Sequence, residues 1–300
     1  MTTPTPPPQG DTRRGILWML LTFLLFASLN VTAKYLTLSY PVVQVVWARF
    51  ASQALMVAVV LGPRISHVMV SGRLGLQVGR SLLMLFTTTM FFAGLSLIPL
   101  AEASAIMFVA PILVTVLSVP LLGERVGPWR WAGVAAGFAG AVIIIRPGMG
   151  VVQLAAFLPF GAACGQAFYQ IATRELSRTD QALTTLFYTP LAGLAATSAV
   201  VPFLWIQPDL EGWLLMTLMG LFGGLGHFAL IKSLTAAPVA IVAPFSYTNL
   251  IWATAYGYLF FGDLPDGWTV FGAIVIVLSG LFIFYRETRK RRLAEREEPL

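Results

Sequence analysis

Charge is scarce in this chain. Asp, Glu, Lys and Arg make up 11% of its 300 residues, under half of the roughly 25% found in ordinary soluble domains. A surface covered by water is therefore excluded. There is one cysteine, Cys164, so an internal disulfide and a multi-cysteine metal site are both excluded. The two histidines, His67 and His227, stand far apart in sequence and form no metal-spaced pair. The apolar stretches hold no acid pair and no Ser/His/Asp set, so an intramembrane enzyme lacks its chemistry. No carboxylate lies near the middle of any apolar stretch; Glu102, close to one end, comes nearest. A carboxylate proton relay therefore has no support. The short alternating segments of an outer-membrane barrel are missing too. No metal or cofactor is expected.

What is present is apolar length. Hydrophobic residues make up 57% of the chain, and the mean hydropathy is +0.80. A helical span needs about 20 mostly apolar residues. Ten such segments are read: 15–36, 42–62, 74–97, 101–122, 129–146, 152–173, 181–206, 212–232, 239–261 and 268–285. The expected fold is an all-α integral membrane protein with ten transmembrane helices. Residues 1–14 are rich in proline and threonine and read as a disordered cytoplasmic terminus rather than a cleavable signal, because the first apolar stretch has full span length.

Basic residues set the orientation. With the N-terminus in the cytoplasm, 16 of the 19 Lys and Arg residues fall on cytoplasmic ends, Arg73 and Arg80 among them. Lys34 and Arg146 fall outside, and Arg49 falls within the second segment. Asp209, Glu211, Asp263 and Asp266 are also outside. By the positive-inside rule both termini are cytoplasmic, and the short loops favour a bacterial inner membrane. The net charge of +6 comes with a basic C-terminal run from Arg286 to Arg296. That run reads as an anchor near anionic lipid headgroups, not as nucleic-acid affinity.

The chain also repeats itself at a shift of 139 residues. Gly123 falls on Gly262, Glu124 on Asp263, Trp129 on Trp268, Gly133 on Gly272 and Ile144 on Ile283. One residue out of phase, Ala33-Lys34-Tyr35-Leu36 overlies Thr173-Arg174-Glu175-Leu176. Five segments per copy make the second copy enter the bilayer from the opposite side, an inverted repeat of the kind seen in secondary transporters. The units are 15–147 and 151–286, followed by a basic tail at 287–300. The turn Pro147-Gly148-Met149-Gly150 is too short for an interdomain linker. Duplication supplies both halves in one chain, so a monomer is expected. Loop 63–73, with Pro63, Arg64 and His67, is expected along the cytoplasmic interface. Small residues at helical spacing (Gly133, Gly137 and Gly140; Gly220, Gly223 and Gly226; Gly272, Ser279 and Gly280) would let helices approach closely. The fifth and tenth segments hold almost no polar side chains and are expected at the lipid-facing periphery.

A charge at membrane depth costs about 3 kcal/mol or more, so it marks function by default. Arg49 lies about 10 Å along its segment, between Trp47 and Phe50. It reads either as a counter-charge for a substrate carboxylate or gating pair, or as a side chain snorkelling outward. His227 reads as a proton relay or as a packing residue with one hydrogen bond. Lys232 reads as a cytoplasmic anchor or part of an inner gate. Glu124 and Asp263 are read as caps of the helices that follow them. Ser104, Phe108, Pro111, Thr115 and Ser118 share one face of the fourth segment at three-and-four spacing. Ala240, Pro244, Tyr247, Ile251 and Thr254 do so on the ninth. Pro111 and Pro244 each remove a backbone hydrogen bond, which is tolerated beside a cavity. Asn30, Phe86, Thr89, Met90, Gln166, Tyr169 and Gln170 would complete a central pathway of amides, hydroxyls and rings. Such a lining suits a zwitterion with an apolar side chain; ordinary helix packing is the competing reading.

Pro111, Gly123-Glu124 at the end of the same segment and the glycine-spaced segment after it resemble the EamA family of the drug/metabolite transporter superfamily. So does the run Ala243-Pro244-Phe245-Ser246-Tyr247, followed by Phe261-Gly262-Asp263 and Pro265. The resemblance covers residues 15 to 286, with Asp263 where the family often shows Glu. It implies a ten-helix transporter of small metabolites, often an amino acid exporter, with the aromatic amino acid exporters closest. Phosphorylated sugars, nucleotide sugars and drug-like cations are the other cargo classes of the superfamily. Phosphate would need several intramembrane cations, and the sequence offers Arg49. A channel is the alternative from another class.

Overall fold

The computed structural model describes residues 12–62, 65–123, 126–146 and 154–297, and no strand occurs among them. The helices in chain order are α1 (Thr12–Leu36), α2 (Val42–Leu61), α3 (Ile65–Val68), α4 (Leu74–Leu95), α5 (Leu100–Met107), α6 (Ala110–Leu122) and α7 (Pro128–Ile145). After residue 153 come α8 (Phe157–Leu176), α9 (Ala182–Tyr188), α10 (Leu191–Val200), α11 (Leu210–Ala236), α12 (Val239–Val242), α13 (Thr248–Phe261) and α14 (Gly267–Glu297). Thr12–Arg14 form the first turn of α1, and the basic tail continues α14 as far as Glu297. The expectations for residues 1–11, Pro63, Arg64, Glu124 and the 147–150 turn lie outside the described residues.

Local chemistry explains where helices begin and end. Pro41 and Pro99 sit just before α2 and α5 and Pro128 opens α7, positions where a missing N–H costs nothing. Gly123 and Gly262, repeat equivalents, close α6 and α13 with φ of 67° and 69°. That left-handed geometry suits glycine.

Among the described residues, eight helical stretches are long and apolar enough to cross a membrane, with α5–α6 counted as one and α9–α10 as another. Two of the ten segments read from sequence do not meet that standard. Gln166, Gln170, Thr173, Arg174 and Glu175 dilute α8. The 239–261 segment is broken into α12, a 3-10 turn at Ala243–Tyr247 and α13.

The most extensive helix pairs are α1 with α11, α4 with α8 and α7 with α14. Each joins a helix before residue 147 to one after 153. Lipid is as apolar as leucine, so such pairs rest on close packing and interhelical hydrogen bonds. A Cβ on Gly140 of α7 would sit 2.8 Å from the Gly272 carbonyl oxygen of α14. At the same crossing Ser279 Oγ donates to the Gly133 carbonyl at 2.5 Å. Gly220 and Gly224 of α11 leave room for Ser52 and Met56 of α2, and Ser233 donates to the Gly15 carbonyl at 2.7 Å. Trp129, Trp131, Phe271, Ile274 and Leu278 on the outer faces of α7 and α14 are exposed, as a lipid-facing pair requires.

At one end of the bundle, loop residues 71–72 are tied to α8's exit. Asp180 accepts from Ser71 Oγ at 2.5 Å, the Gly72 amide at 3.1 Å and Gln77 Nε2 at 2.8 Å. The Ser71 hydrogen bond leads in holding its carboxyl below the usual carboxylate range. The other end carries Leu36, Leu95 and Phe261. Gly140→Val is expected to lower stability by about 1–3 kcal/mol through overpacking at the glycine crossing. Thermal melting in detergent checks this, with the exposed Ala139→Val as an unaffected control.

Candidate functional site

Pro41 starts α2, and Gln44 locks its first turn by donating to the Ile206 carbonyl at 2.7 Å and accepting from the Ile206 amide at 3.0 Å. Arg49, two turns in, points into the bundle rather than toward the headgroups. Its Nη1 donates to Thr88 Oγ1 of α4 at 2.6 Å, and its Cζ lies 5.6 Å from the Phe92 ring centre and 5.8 Å from that of Phe50. Snorkelling is thereby corrected: the neighbouring Trp47 donates to Ser198 at 3.0 Å, and the guanidinium turns the other way.

Arg80 requires a larger correction. Grouped by sequence with the cytoplasmic charges, it is only 2% exposed. Its Nη1 donates to Thr173 Oγ1 at 3.2 Å, and its Nη2 to the Thr185 carbonyl at 2.8 Å and to Thr189 Oγ1. Its Cζ lies 4.6 Å from the Tyr169 ring centre. The reason is helical phase. Gln77, Arg80, Met84, Thr87, Thr88 and Phe91 are all buried on one face of α4, and that face meets α8. Their three-and-four spacing is the signal that could have found Arg80; counting charges by segment end hides it.

Tyr169 stands close enough to Arg49 and Arg80 to interact electrostatically with both. The two guanidinium charges also reach His227, which packs edge-on against Phe26 at 5.1 Å. Among the described residues His227 has no hydrogen bond, so the expected packing bond is absent. Arg49, Tyr169 and His227 are each half-buried. None of the ion pairs among the described residues includes Arg49 or Arg80.

A second group forms where two helices break. The chain leaves α-geometry at Phe108, whose amide and that of Val109 bond back to the Ala105 and Ile106 carbonyls, and Pro111 sits in the first turn of α6. The other break is the 3-10 turn holding Pro244. Phe108 and Tyr247, 139 residues apart, meet with ring centres 5.0 Å apart. A cleft of about 250 Å³ beside them is lined by Pro111, Thr115, Gln170, Pro244 and Tyr247.

The remaining expected residues are dispersed. Phe86 and Met90 of α4 fill the space left by Gly165 and Gly161 of α8. Asn30, Thr89 and Gln166 are half-buried and without hydrogen bonds among the described residues. Ile251 departs from expectation: it is 65% exposed and lines an apolar groove with Tyr258 and Leu264. The 3-10 turn winds three residues per turn instead of 3.6, so Pro244 loses phase with Ile251 on α13. Sequence reasoning also missed Asn249 and Trp252, whose Oδ1 and Nε1 are buried without a partner.

Two ion pairs join the halves at the Leu36 end. Lys34 is 8% exposed; its ammonium donates to Asp263 at 2.9 Å and to the Ile98 carbonyl at 3.1 Å, 4.7 Å from the Phe261 ring centre. Asp263, expected as a helix cap, is this cation's partner instead. The cap is Asp266, whose Oδ1 accepts from the Thr269 amide at 2.8 Å and whose Oδ2 accepts from Arg146 at 2.6 Å. Arg146 holds a left-handed φ of 46°. Lys232, read as an anchor or inner gate, is exposed and lies 5.5 Å from the Phe228 ring centre on its own helix.

The EamA-like transporter family matches this chain twice, over residues 13–146 and 153–285. The chain belongs to the EamA family. This EamA protein is 31% identical to a riboflavin transporter of Vibrio cholerae, over 93% of this chain and 95% of that one. It is 26% identical to an S-adenosylmethionine uptake transporter of Rickettsia prowazekii, over 95% and 96%. It is 25% identical to a pseudopaline exporter of Pseudomonas aeruginosa, over 89% and 94%. A solved crystal structure shares the fold, with a TM-score of 0.63 at 20% identity over 93% of this chain and 98% of that one. The relatives are small-molecule transporters of the drug/metabolite transporter superfamily, and by name they include both uptake and export.

Two outcomes follow from the ion pairs. Lys34→Asp is expected to destabilise the Leu36 end, and Lys34→Asp with Asp263→Lys to restore it; melting curves of the single and double variants test the pairing. The Asp266 carboxyl is held below its ordinary value, first by hydrogen bonding to Thr269. Its contribution is therefore full above about pH 4 and lost as pH falls through the depressed value. Stability curves of wild type and Asp266→Asn should run apart at neutral pH and converge in acid.

Proposed function

We propose that this EamA protein is a secondary carrier of a small organic solute in a bacterial inner membrane, working as a monomer by alternating access. The observation that carries this reading is the Arg49–Arg80–Tyr169 group. It places two guanidinium groups at membrane depth in a bundle whose main helix pairs each join one half to the other. The halves are 15–147 and 151–286, five spans each and inverted, with α8 as the sixth span and α12–α13 as the ninth. A polar or broken span is tolerated where it is enclosed by protein and faces a cavity, and these two meet the site.

Both termini are cytoplasmic in this reading. Moving Arg80 to the interior leaves 15 of the 19 basic residues on the inner side, still a decisive bias. The Leu36 end is then the outer mouth, and Lys34–Asp263 is its lock. Alternating access opens that lock when the pathway faces outward. Asn30, Phe86, Thr89, Met90 and Gln166 line the route between the mouths with Gln170 and His227.

The proposed cargo is an amino acid with an apolar or aromatic side chain, moved outward. Arg49 meets its carboxylate while the rings of Phe108, Tyr169 and Tyr247 offer stacking faces. A phosphorylated solute is the second reading, favoured by Arg80, which supplies the second intramembrane cation that phosphate needs. Counterflow in proteoliposomes decides between them. Phenylalanine, threonine, a sugar phosphate, riboflavin and S-adenosylmethionine are tested as internal solutes. Accelerated exchange of phenylalanine, competed by its relatives, supports the amino acid reading; exchange of the sugar phosphate alone replaces it. Arg49→Ala is expected to reduce the rate at least tenfold in folded protein, and Tyr247→Ala to shift apparent affinity. Wild-type rates in the first, or unchanged affinity across the panel in the second, would remove that residue from the site.

A further inference from the structure

We infer that Arg49 and Arg80 form one anion-binding site in the middle of the pathway, so the cargo carries an acidic group, carboxylate or phosphate, and cationic cargo is rejected. The inference rests on the carrier reading for its location and goes beyond it in fixing the charge of the solute. The argument begins with the acids. All 13 Asp and Glu residues of the chain lie outside the central thirds of the ten segments. Among the described residues, ion pairs use Glu175, Asp263 and Asp266, and none involves either arginine.

Uncompensated buried guanidinium groups are unfavourable, and neutral partners offset that only in part. Arg49 has one hydroxyl and two ring faces. Arg80 has two hydroxyls, one carbonyl and the Tyr169 ring. Its Nε is buried without a partner, although the side chain is 98% enclosed, being 2% exposed. The missing charge must come from something that arrives. Guanidinium is the group of choice for it, because its planar fork holds a carboxylate or phosphate by two parallel bonds.

The positions of the two arginines fit a shared ligand. Thr88, which takes the Arg49 bond, stands eight residues from Arg80 on α4, about 12 Å along the helix axis. Arg49 bonds to Thr88 of α4 and Arg80 lies against Tyr169 of α8, so the packed pair α4–α8 holds both guanidinium groups in one stretch of the bundle. Tyr169, whose ring centre lies 4.6 Å from the Arg80 Cζ, is within electrostatic reach of both. His227, the other titratable group facing this space, adds no negative charge in either protonation state.

Matched solute pairs test the inference. Phenylalanine is compared with phenylalaninamide, and riboflavin 5′-phosphate with riboflavin, by counterflow in proteoliposomes and by thermal stabilisation of the purified protein. The acidic member of at least one pair is expected to be favoured about tenfold or more, the size of a charge-assisted hydrogen bond. Preference in the first pair assigns a carboxylate, and in the second a phosphate. Arg49→Gln and Arg80→Gln should bring the acid-to-neutral ratio toward one. Arg80→Lys, which keeps charge and loses the fork, should fall between; it carries the test if Arg80→Gln does not fold. Arg178→Gln, at an exposed site, should keep the wild-type ratio. A ratio near one in wild type for both pairs, or a ratio that survives in Arg49→Gln and Arg80→Lys, overturns the anion site. Exchange without acid preference leaves the carrier reading standing and removes this inference. Acid-selective stabilisation without any exchange keeps the site and removes the carrier. Neither exchange nor acid-selective stabilisation removes both.

Discussion

The contact between α4 and α8 is the one on which the site depends. Pro159 fits against Gly94, Met90 against Gly161, and Phe86 and Thr87 against Gly165. Each glycine removes the side chain that would hold the helices apart, so two polar helices run side by side from one end of the bundle to the other. That proximity lays Arg80 across Tyr169 and onto Thr173. A bulkier residue at Gly165 would push α8 away and leave a guanidinium at membrane depth with fewer partners. The packing of small residues and the placement of charge are therefore one constraint.

Around that contact the bundle divides its polar groups by depth. The ion pairs Lys34–Asp263 and Arg146–Asp266 sit at one end, and the Asp180 hydrogen bonds at the other. Between them lie two arginines and a histidine, with no acid among the described residues. A soluble protein would quench such charges with water. Here they are met by hydroxyls and ring faces, which solvate a cation without neutralising it.

The two broken helices give the same region its other property. Breaks at Phe108 and at Ala243–Tyr247 fall at repeat-equivalent positions, and the rings of Phe108 and Tyr247 meet there. Interrupted helices leave backbone groups and nearby polar atoms to be satisfied by something other than the helix itself. The buried, unpartnered Asn249 and Trp252 atoms belong to the same stretch. Equivalent contacts that meet each other across a repeat are suited to two arrangements of similar energy.

The sequence by itself determined the class of this protein. Scarce charge, long apolar runs, the 139-residue shift and the paired glycines required a helical membrane bundle and led to the family. It also singled out Arg49, Tyr169, Pro111 and Pro244 as candidates, because membrane-depth charge, rings and helix breakers are visible in one dimension. Tertiary structure decided the rest. Arg80 and Lys34 look like end charges until partners from the other half of the chain enclose them, and burial depends on those partners rather than on local sequence. Asp263 and Asp266 are equally plausible caps until Lys34 claims the first. Spacing puts Ile251 on the Pro244 face, but that extrapolation assumes 3.6 residues per turn through a turn that winds at three. Long-range pairing and local helical pitch are fixed only when the chain is folded, and they govern which charges remain without a counter-charge.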